Sequence, residues 1–585
     1  MNTATLAIAA AAAGFQAPAP DAMPQPAPAS APQAAITVVE RRDASSLDAA
    51  LAALVARHPG TVARTTIGTS PRKLPIHLLT LSSDPATAAS RPALLLVAGM
   101  DGPRWSGTEA ALVAIDAIAT DHADALKDVT VYVVPRGNPD AAEAFAVGPR
   151  RDHSADGAVH DNDRDGRVDE DAPRDLNGDG LITQIRASGT LFPWPAPTVV
   201  ADPAEPRLLR APDAKAGQVP VYTVWAEGID TDGDGRIGED WPGGLDPERN
   251  FPHRWPEFED EAGAYPLIAP ESKALADFVM SHPNLFAAAV LGRHDTVVSL
   301  PDPKAKTPGG MPAMIAEEDA AAYNELAKAW KDAVGQKRAE GRDTAGSFVA
   351  WMNAQRGVPT VASTLWGRPD LPEPTEDEKA KAKEQAKDRP AAGKPADEEA
   401  AAWLAYSDTV RGGAGFVPWT RIEHPQLQNV EVGGWVAGFR ENPPLEEVAP
   451  LGKKCAEFLV RAAGQRPRVE LSKPVVTAVG PGLWRVEATL ANTGRLPTVM
   501  RGGRADTVTP AHLVRISVPV ERVKSGRRSD VVHGIDPGET RRYSWIVAAP
   551  PDEEVAVELL FNGATAARWS FRDGAEVPAG NGGAK

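Results

Sequence analysis

Three apolar runs constrain this chain more than any other feature: LPIHLLTL (residues 74–81), PALLLVAGM (92–100) and VTVYVVPRGNPD (129–140). Each is nearly continuous where a half-exposed strand would alternate, which is the pattern of strands buried on both faces. A stretch with helical apolar spacing, SSLDAALAALVARH (45–58), opened by a serine, precedes them, and another, GTEAALVAIDAIATDHADAL (107–126), falls between them. Strands and helices in that alternation predict an α/β fold with a largely parallel or mixed sheet covered by helices.

The chain has 585 residues and a net charge of -17. That length suffices for several cores, and that charge argues against a nucleic-acid surface. Cys455 is the single cysteine, so neither an internal disulfide nor a thiolate metal site can form. It sits in the helical pattern CAEFLVRAA, which predicts a buried structural thiol. Residues 1–35 read as an Ala/Pro-rich leader. Its start resembles a secretory signal without a basic n-region, and a disordered leader is the alternative. Export to the periplasm or outside is the expectation, with no membrane span beyond that signal.

Near Arg466 the texture changes to short alternating runs separated by turns, such as HLVRISVPVE and TRRYSWIVAAP. Residues 466–578 are therefore expected to form an all-β sandwich, with 579–585 as a tail. The 36–465 segment carries acidic insertions at 150–186 and 226–241. It also carries a charged, Ala-rich stretch at 374–403, read as a solvated helix or flexible excursion.

The insertions repeat one spacing. DNDRDG places Asp161, Asp163 and Asp165 at alternate positions before a glycine; DLNGDG does the same with Asp175, Asn177 and Asp179, and DTDGDG with Asp230, Asp232 and Asp234. Alternate oxygen ligands in a tight glycine-turned loop suit calcium, which takes six to eight oxygens. The twelfth positions, Ala172, Arg186 and Trp241, lack the closing Glu of an EF-hand. Asp169, Asp171 and Asp240 are the candidates to close the first and third sites, and a structural calcium role is expected.

Several motifs then line up in order: IGTSPRKLPIHLLTL, AGMDGPRWSGTEAA, VVPRGNPD, GLDPERNFPHRW and ASTLWG. Residues 36–464 resemble the zinc carboxypeptidases of the carboxypeptidase A type, in particular large bacterial members with such insertions and a C-terminal β domain. The resemblance implies a carboxypeptidase-like mixed sheet flanked by helices, with zinc as the family cofactor. It also implies a zinc-binding His and Glu in the loop after the second strand, but here those positions read Asp101 and Arg104. The third ligand position falls on Gly292, or on His294 if the alignment shifts. The general-base position reads Thr364. An arginine offers no lone pair to a metal, and a hydroxyl cannot take a proton from water as a carboxylate can. Arg249 remains where the family holds a terminal carboxylate, beside Glu248, and Arg150 and Arg151 lie where a further substrate arginine is expected.

The resulting expectation is a catalytically degenerate carboxypeptidase-like protein that binds peptides or cell-wall fragments, with Arg104 paired to Asp101 where zinc would sit. An active zinc carboxypeptidase or amidase using displaced ligands, and a calcium-stabilised scaffold, are the alternatives. No nucleophile elbow, P-loop or dinucleotide fingerprint points elsewhere.

Overall fold

The computed structural model describes residues 36–160, 167–168, 171–189, 194–233, 235–238, 243–259, 261–371, 395–504, 511–561 and 564–577. Its centre is a six-stranded mixed sheet. The strands are β1 (Val62–Thr69), β2 (Pro75–Leu81), β3 (Ala93–Ala98), β4 (Thr130–Val134), β9 (Leu285–Leu291) and β10 (Thr360–Ser363). They lie in the order β1-β2-β4-β3-β9-β10. The apolar runs read from the sequence are β2, β3 and β4. Every residue of β3, β4 and β9 is buried, so these strands are covered on both faces. β3, β4, β9 and β10 run parallel; β2 joins antiparallel to β4, and β1 is in turn antiparallel to β2.

Helices cover the sheet. α1 (Ala44–Arg57) is capped by the Asp43 side chain, which accepts from Ser46 N at 2.7 Å; the cap is this aspartate and not the serine that the sequence suggested. α2 (Trp105–Asp121) leaves the β3 loop and packs against the helix Leu445–Gly464, which buries Cys455. Burial pushes that thiol up to about 12, as an inert structural cysteine requires. The segment 374–403 divides. Residues 398–403 open a packed helix, Glu398–Val410, because Trp403 and Leu404 are buried. Residues 374–394 lie outside the described residues.

A second sheet stands on the insertions and has the order β11-β12-β5-β8. Its strands are β5 (Gln184–Ser188), β8 (Tyr222–Ala226), β11 (Phe416–Ile422) and β12 (Val430–Trp435), all antiparallel; a short ribbon of β6 (Val200–Ala201) and β7 (Leu209–Arg210) lies between β5 and β8 in sequence. One face packs Ile185, Ala187, Val430 and Val432 against Ile237 and Leu427.

From Val469 onward the chain builds two antiparallel sheets with a common core that includes Val486, Leu490, Val514, Ile516, Trp545, Val547 and Val557. The C-terminal part is therefore sheet-rich and consistent with a β-sandwich. Asp319 reaches across to it and accepts the Arg501 backbone N–H at 2.9 Å. No described helix is long and apolar enough to cross a membrane.

Candidate functional site

Asp101, Gly292 and Thr364 all follow the C-terminal ends of parallel strands, β3, β9 and β10 respectively. Ala98 pairs with Leu291, and Leu291 pairs with Ser363, so the three loops leave the sheet side by side. That is where open α/β sheets place their ligands. Asp101 and Gly292 face each other: a Cβ added at Gly292 would lie 3.0 Å from Asp101 Oδ2. The loop geometry depends on Gly99, whose φ is +62°, a region that favours glycine.

Arg293, directly after Gly292, ties the Asp101 loop to Asp246. Its backbone N–H donates to Asp101 Oδ2 at 3.0 Å, and its Nε lies 3.4 Å from Asp101 Oδ1. Its Nη1 lies 2.5 Å from Asp246 Oδ2. Burial alone would push this guanidinium down, but the carboxylates of Asp246, Asp101 and Glu248 more than reverse it and hold it charged. The cation paired with Asp101 is thus Arg293, not Arg104. Arg104 precedes α2 and lies near Glu441, whose ionised form it favours.

The set does not fit zinc. Asp101 supplies one carboxylate already engaged by Arg293, Gly292 has no side chain, and the two arginines offer no lone pair. His294 is turned to Glu248, with Nε2 3.1 Å from Oε2, and its Nδ1 lies 3.2 Å from the Arg342 carbonyl. Both members of that pair are buried. The Thr364 hydroxyl accepts from Gln336 Nε2 at 2.8 Å and donates to the Trp366 carbonyl at 2.9 Å. His253, the histidine of the GLDPERNFPHRW motif, has Nε2 2.9 Å from the Ala313 carbonyl.

The predicted substrate residues do not converge on this centre as one set. Glu248 is buried beside it, whereas Arg249 pairs with Glu259, which is exposed. Arg150 lines a separate cavity of about 420 Å³ with Trp105, Phe145 and Phe439. Arg151 places positive charge beside His153, which burial and that charge push down to about 3.

Of the three acidic loops, Asp161, Asp163, Asp165 and Asp234 lie outside the described residues, as do Asp169 and Asp240. In the second loop Asp175 accepts from Gly178 N, Asp179 N and Gly180 N at 2.7, 3.2 and 2.8 Å. Asn177 and Asp179 close the same turn. Glu227, fully buried, staples its two ends by accepting from Leu176 N at 2.7 Å and Thr183 N at 2.9 Å. Asp171 joins Asp230 and Asp232 in a cluster whose carboxylate oxygens lie within 4.8 Å of one another. Asp171 accepts from Thr231 N, and its second oxygen is buried with no hydrogen-bond partner among the described residues. Gln426 holds the Asp230 backbone by accepting its N–H at 2.9 Å and donating to its carbonyl.

Sequence reasoning missed Arg293, Asp246, Glu227 and Gln426. The signal for Arg293 was its position directly after Gly292; no spacing announced the others.

Residues 47–171 match the zinc carboxypeptidase family, and residues 468–570 match a domain of unknown function (DUF8731). No curated protein sequence matches the chain. Among solved structures, a thrombin-activatable fibrinolysis inhibitor is 14% identical over 55% of this chain and 65% of its own, with a TM-score of 0.35. A carboxypeptidase A from Helicoverpa armigera is 15% identical over 56% and 66%, with a TM-score of 0.35. A metallo-carboxypeptidase from Burkholderia cenocepacia is 12% identical over 55% and 59%, with a TM-score of 0.28. The chain therefore spans just under two thirds of the length of the first of these relatives. The similarity to the zinc carboxypeptidase family thus rests on residues 47–171, the stretch that holds Asp101 and Arg104.

Proposed function

We propose that this chain is a metallocarboxypeptidase-fold protein that has lost zinc-dependent hydrolysis and works by binding peptides or cell-wall fragments. The observation that carries this reading is Arg293, a buried guanidinium held by Asp101 and Asp246 where the three strand-end loops converge. A second cation in that space would meet a resident positive charge and too few ligands. The Thr364 hydroxyl, engaged on both sides, adds no base.

The acidic insertions support a structural calcium ion held by Asp171, Asp230 and Asp232. Its basis is the buried oxygen of Asp171, unpartnered among the described residues and facing two further carboxylates. Export of the protein remains part of the proposal, since a calcium-rich exterior suits a chain with such acidic loops.

The test is metal content and turnover together. Protein dialysed against trace zinc and calcium is expected to hold no stoichiometric zinc and to release no C-terminal residue from hippuryl-phenylalanine. One tightly held zinc per chain with zinc-dependent turnover would sink the reading and favour displaced ligands.

A further inference from the structure

The outer face of the second sheet is a groove that no part of the old metal centre uses. Register places Phe416 opposite Trp435, Gly433 opposite Gln184 and Arg186 opposite Glu431, so these side chains share one face. The opposite face packs Ile185, Val430 and Val432, and on the groove side Phe416 is buried with Leu208, Ala400 and Leu404, with Trp419 and Trp435 packed against them. A Cβ at Gly433 would meet Trp419 Cα at 2.9 Å, so the glycine lets Trp419 lie across the strands. Arg186 fixes that ring from beneath, with its guanidinium 4.3 Å from the Trp419 centroid.

Two cavities, of about 400 and 320 Å³, open along this face and share Gln184, Trp435 and Arg440. Phe416, Trp419 and Trp435 line the larger, and Trp435 is only half-buried. The Arg440 guanidinium lies 4.7 Å from the Trp435 ring centroid. Among the described residues it makes no hydrogen bond or ion pair, and Glu441 is the nearby acidic influence. The other charges of the groove are committed. Arg207 is held by Glu205 and Asp408, Asp152 lies 3.6 Å from Arg342, and one oxygen of Asp397 caps the helix Glu398–Val410.

An aromatic lining, here of rings set edge to face at 72° and 80°, selects ligands with an apolar ring face. A planar guanidinium pre-set on a ring offers paired donors to a carboxylate. Gln184, exposed, and the second oxygen of Asp397 supply a donor and acceptors at the rim, which suits hydroxyl groups. The groove lies on a sheet face, not along a free strand edge, so it does not offer the backbone ladder by which extended peptides add to sheets. We infer that this groove, with Trp435 and Arg440 at its centre, binds an acidic sugar: a pyranose ring against the aromatic lining of the cavity, with its carboxylate on the guanidinium. The inference deepens the binding reading above and rests on it for the expectation that a ligand exists.

The experiment is calorimetric titration of the full chain with N-acetylmuramic acid, galacturonic acid, neutral N-acetylglucosamine and hippuryl-phenylalanine. Both sugar acids are expected to bind at least about tenfold more tightly than the neutral sugar. Arg440→Gln should remove that preference, and Trp435→Leu should weaken all sugars, with unchanged melting temperatures certifying the fold. Arg440→Lys should recover part of the preference, because it restores charge without the planar fork. Equal binding of acidic and neutral sugars, or acid binding unaffected by Arg440→Gln, overturns the site. Binding of the dipeptide alone overturns the sugar class while leaving the wider binding reading standing. Zinc-dependent turnover with intact sugar-acid binding would remove the degenerate-centre reading and leave this site in place.

Discussion

Asp101 and Arg293 are joined twice, through the Arg293 backbone N–H at 3.0 Å and through its guanidinium at 3.4 Å. Both side chains are almost fully buried. Two charges in such a place stabilise only as a set, because either one alone must bear the cost of lost hydration.

Arg293→Met is therefore expected to be much worse than its loss of packing suggests. It would strand Asp101 and Asp246, and removal of one partner from a buried pair costs about 3–5 kcal/mol. Urea denaturation of the variant should show that loss. Adding Asp101→Asn and Asp246→Asn should recover part of it. A loss below about 1 kcal/mol would place the variant in the range of an exposed pair and would mean that the guanidinium is not their counterion.

A second buried acid group predicts a pH effect. Glu271 is fully buried; burial first, then the charges of Asp156 and Asp140, push its carboxyl up to about 9. In the unfolded chain it titrates near 4.5. The folded state thus holds a proton that the unfolded state releases, so this group's contribution is full below the unfolded value. It falls as pH rises toward about 9. The slope is about 1.4 kcal/mol per pH unit for one proton. Glu271→Gln should flatten the decline between pH 5 and 9 in denaturant titrations, in a range bounded by about those two values. An unchanged slope would show that Glu271 is ionised in the folded protein.

Much of this was legible in the sequence, and the reasons for the exceptions are physical. Continuous apolar runs announced β2, β3 and β4 because a strand covered on both faces has no room for polar alternation. Asp101 and Gly292 were legible as positions because fixed neighbours frame them. Their counterion was not: Arg104 lies three residues from Asp101, but Arg293 reaches it across 192 residues of sequence. Local spacing favours the near residue, while β-sheet pairing decides the real one. Asp171 likewise meets Asp230 through contact between two loops, which a within-loop spacing rule treats separately. The aromatic face of the second sheet was hidden because Phe416, Trp419 and Trp435 come from strands whose register no local pattern fixes.

The calcium reading predicts a stability change on chelation. An ion bound only by the folded state adds about 2.7 kcal/mol when present at 100 times its dissociation constant. EDTA should lower the melting temperature, and excess calcium should restore it. Asp171→Asn should abolish most of the difference, since it removes the buried oxygen that has no partner among the described residues. Equal melting temperatures of the native chain with EDTA and with calcium would exclude a structural ion here.

The loop that carries Asp101 makes the last prediction. Gly99 has φ of +62°, and a Cβ there would lie 2.6 Å from Thr108 Oγ1 and 2.9 Å from the Arg136 Cα. The first cost is conformational, about 1–2 kcal/mol for a non-glycine residue in this region. The second is steric and cannot be relieved by a side-chain rotation, because the Arg136 backbone is held by β4 and by the Gly137 N–H bond to the Ala98 carbonyl at 2.9 Å. Gly99→Ala should therefore destabilise well beyond the first term. Gly60→Ala is the control: its φ is +78°, but nothing lies within 4 Å of the added carbon. Denaturant titration of both should give a loss of about 1–2 kcal/mol at Gly60 and a clearly larger one at Gly99. Equal losses would mean that the loop relaxes freely, and that its close approach to β4 does not hold Asp101 against Arg293.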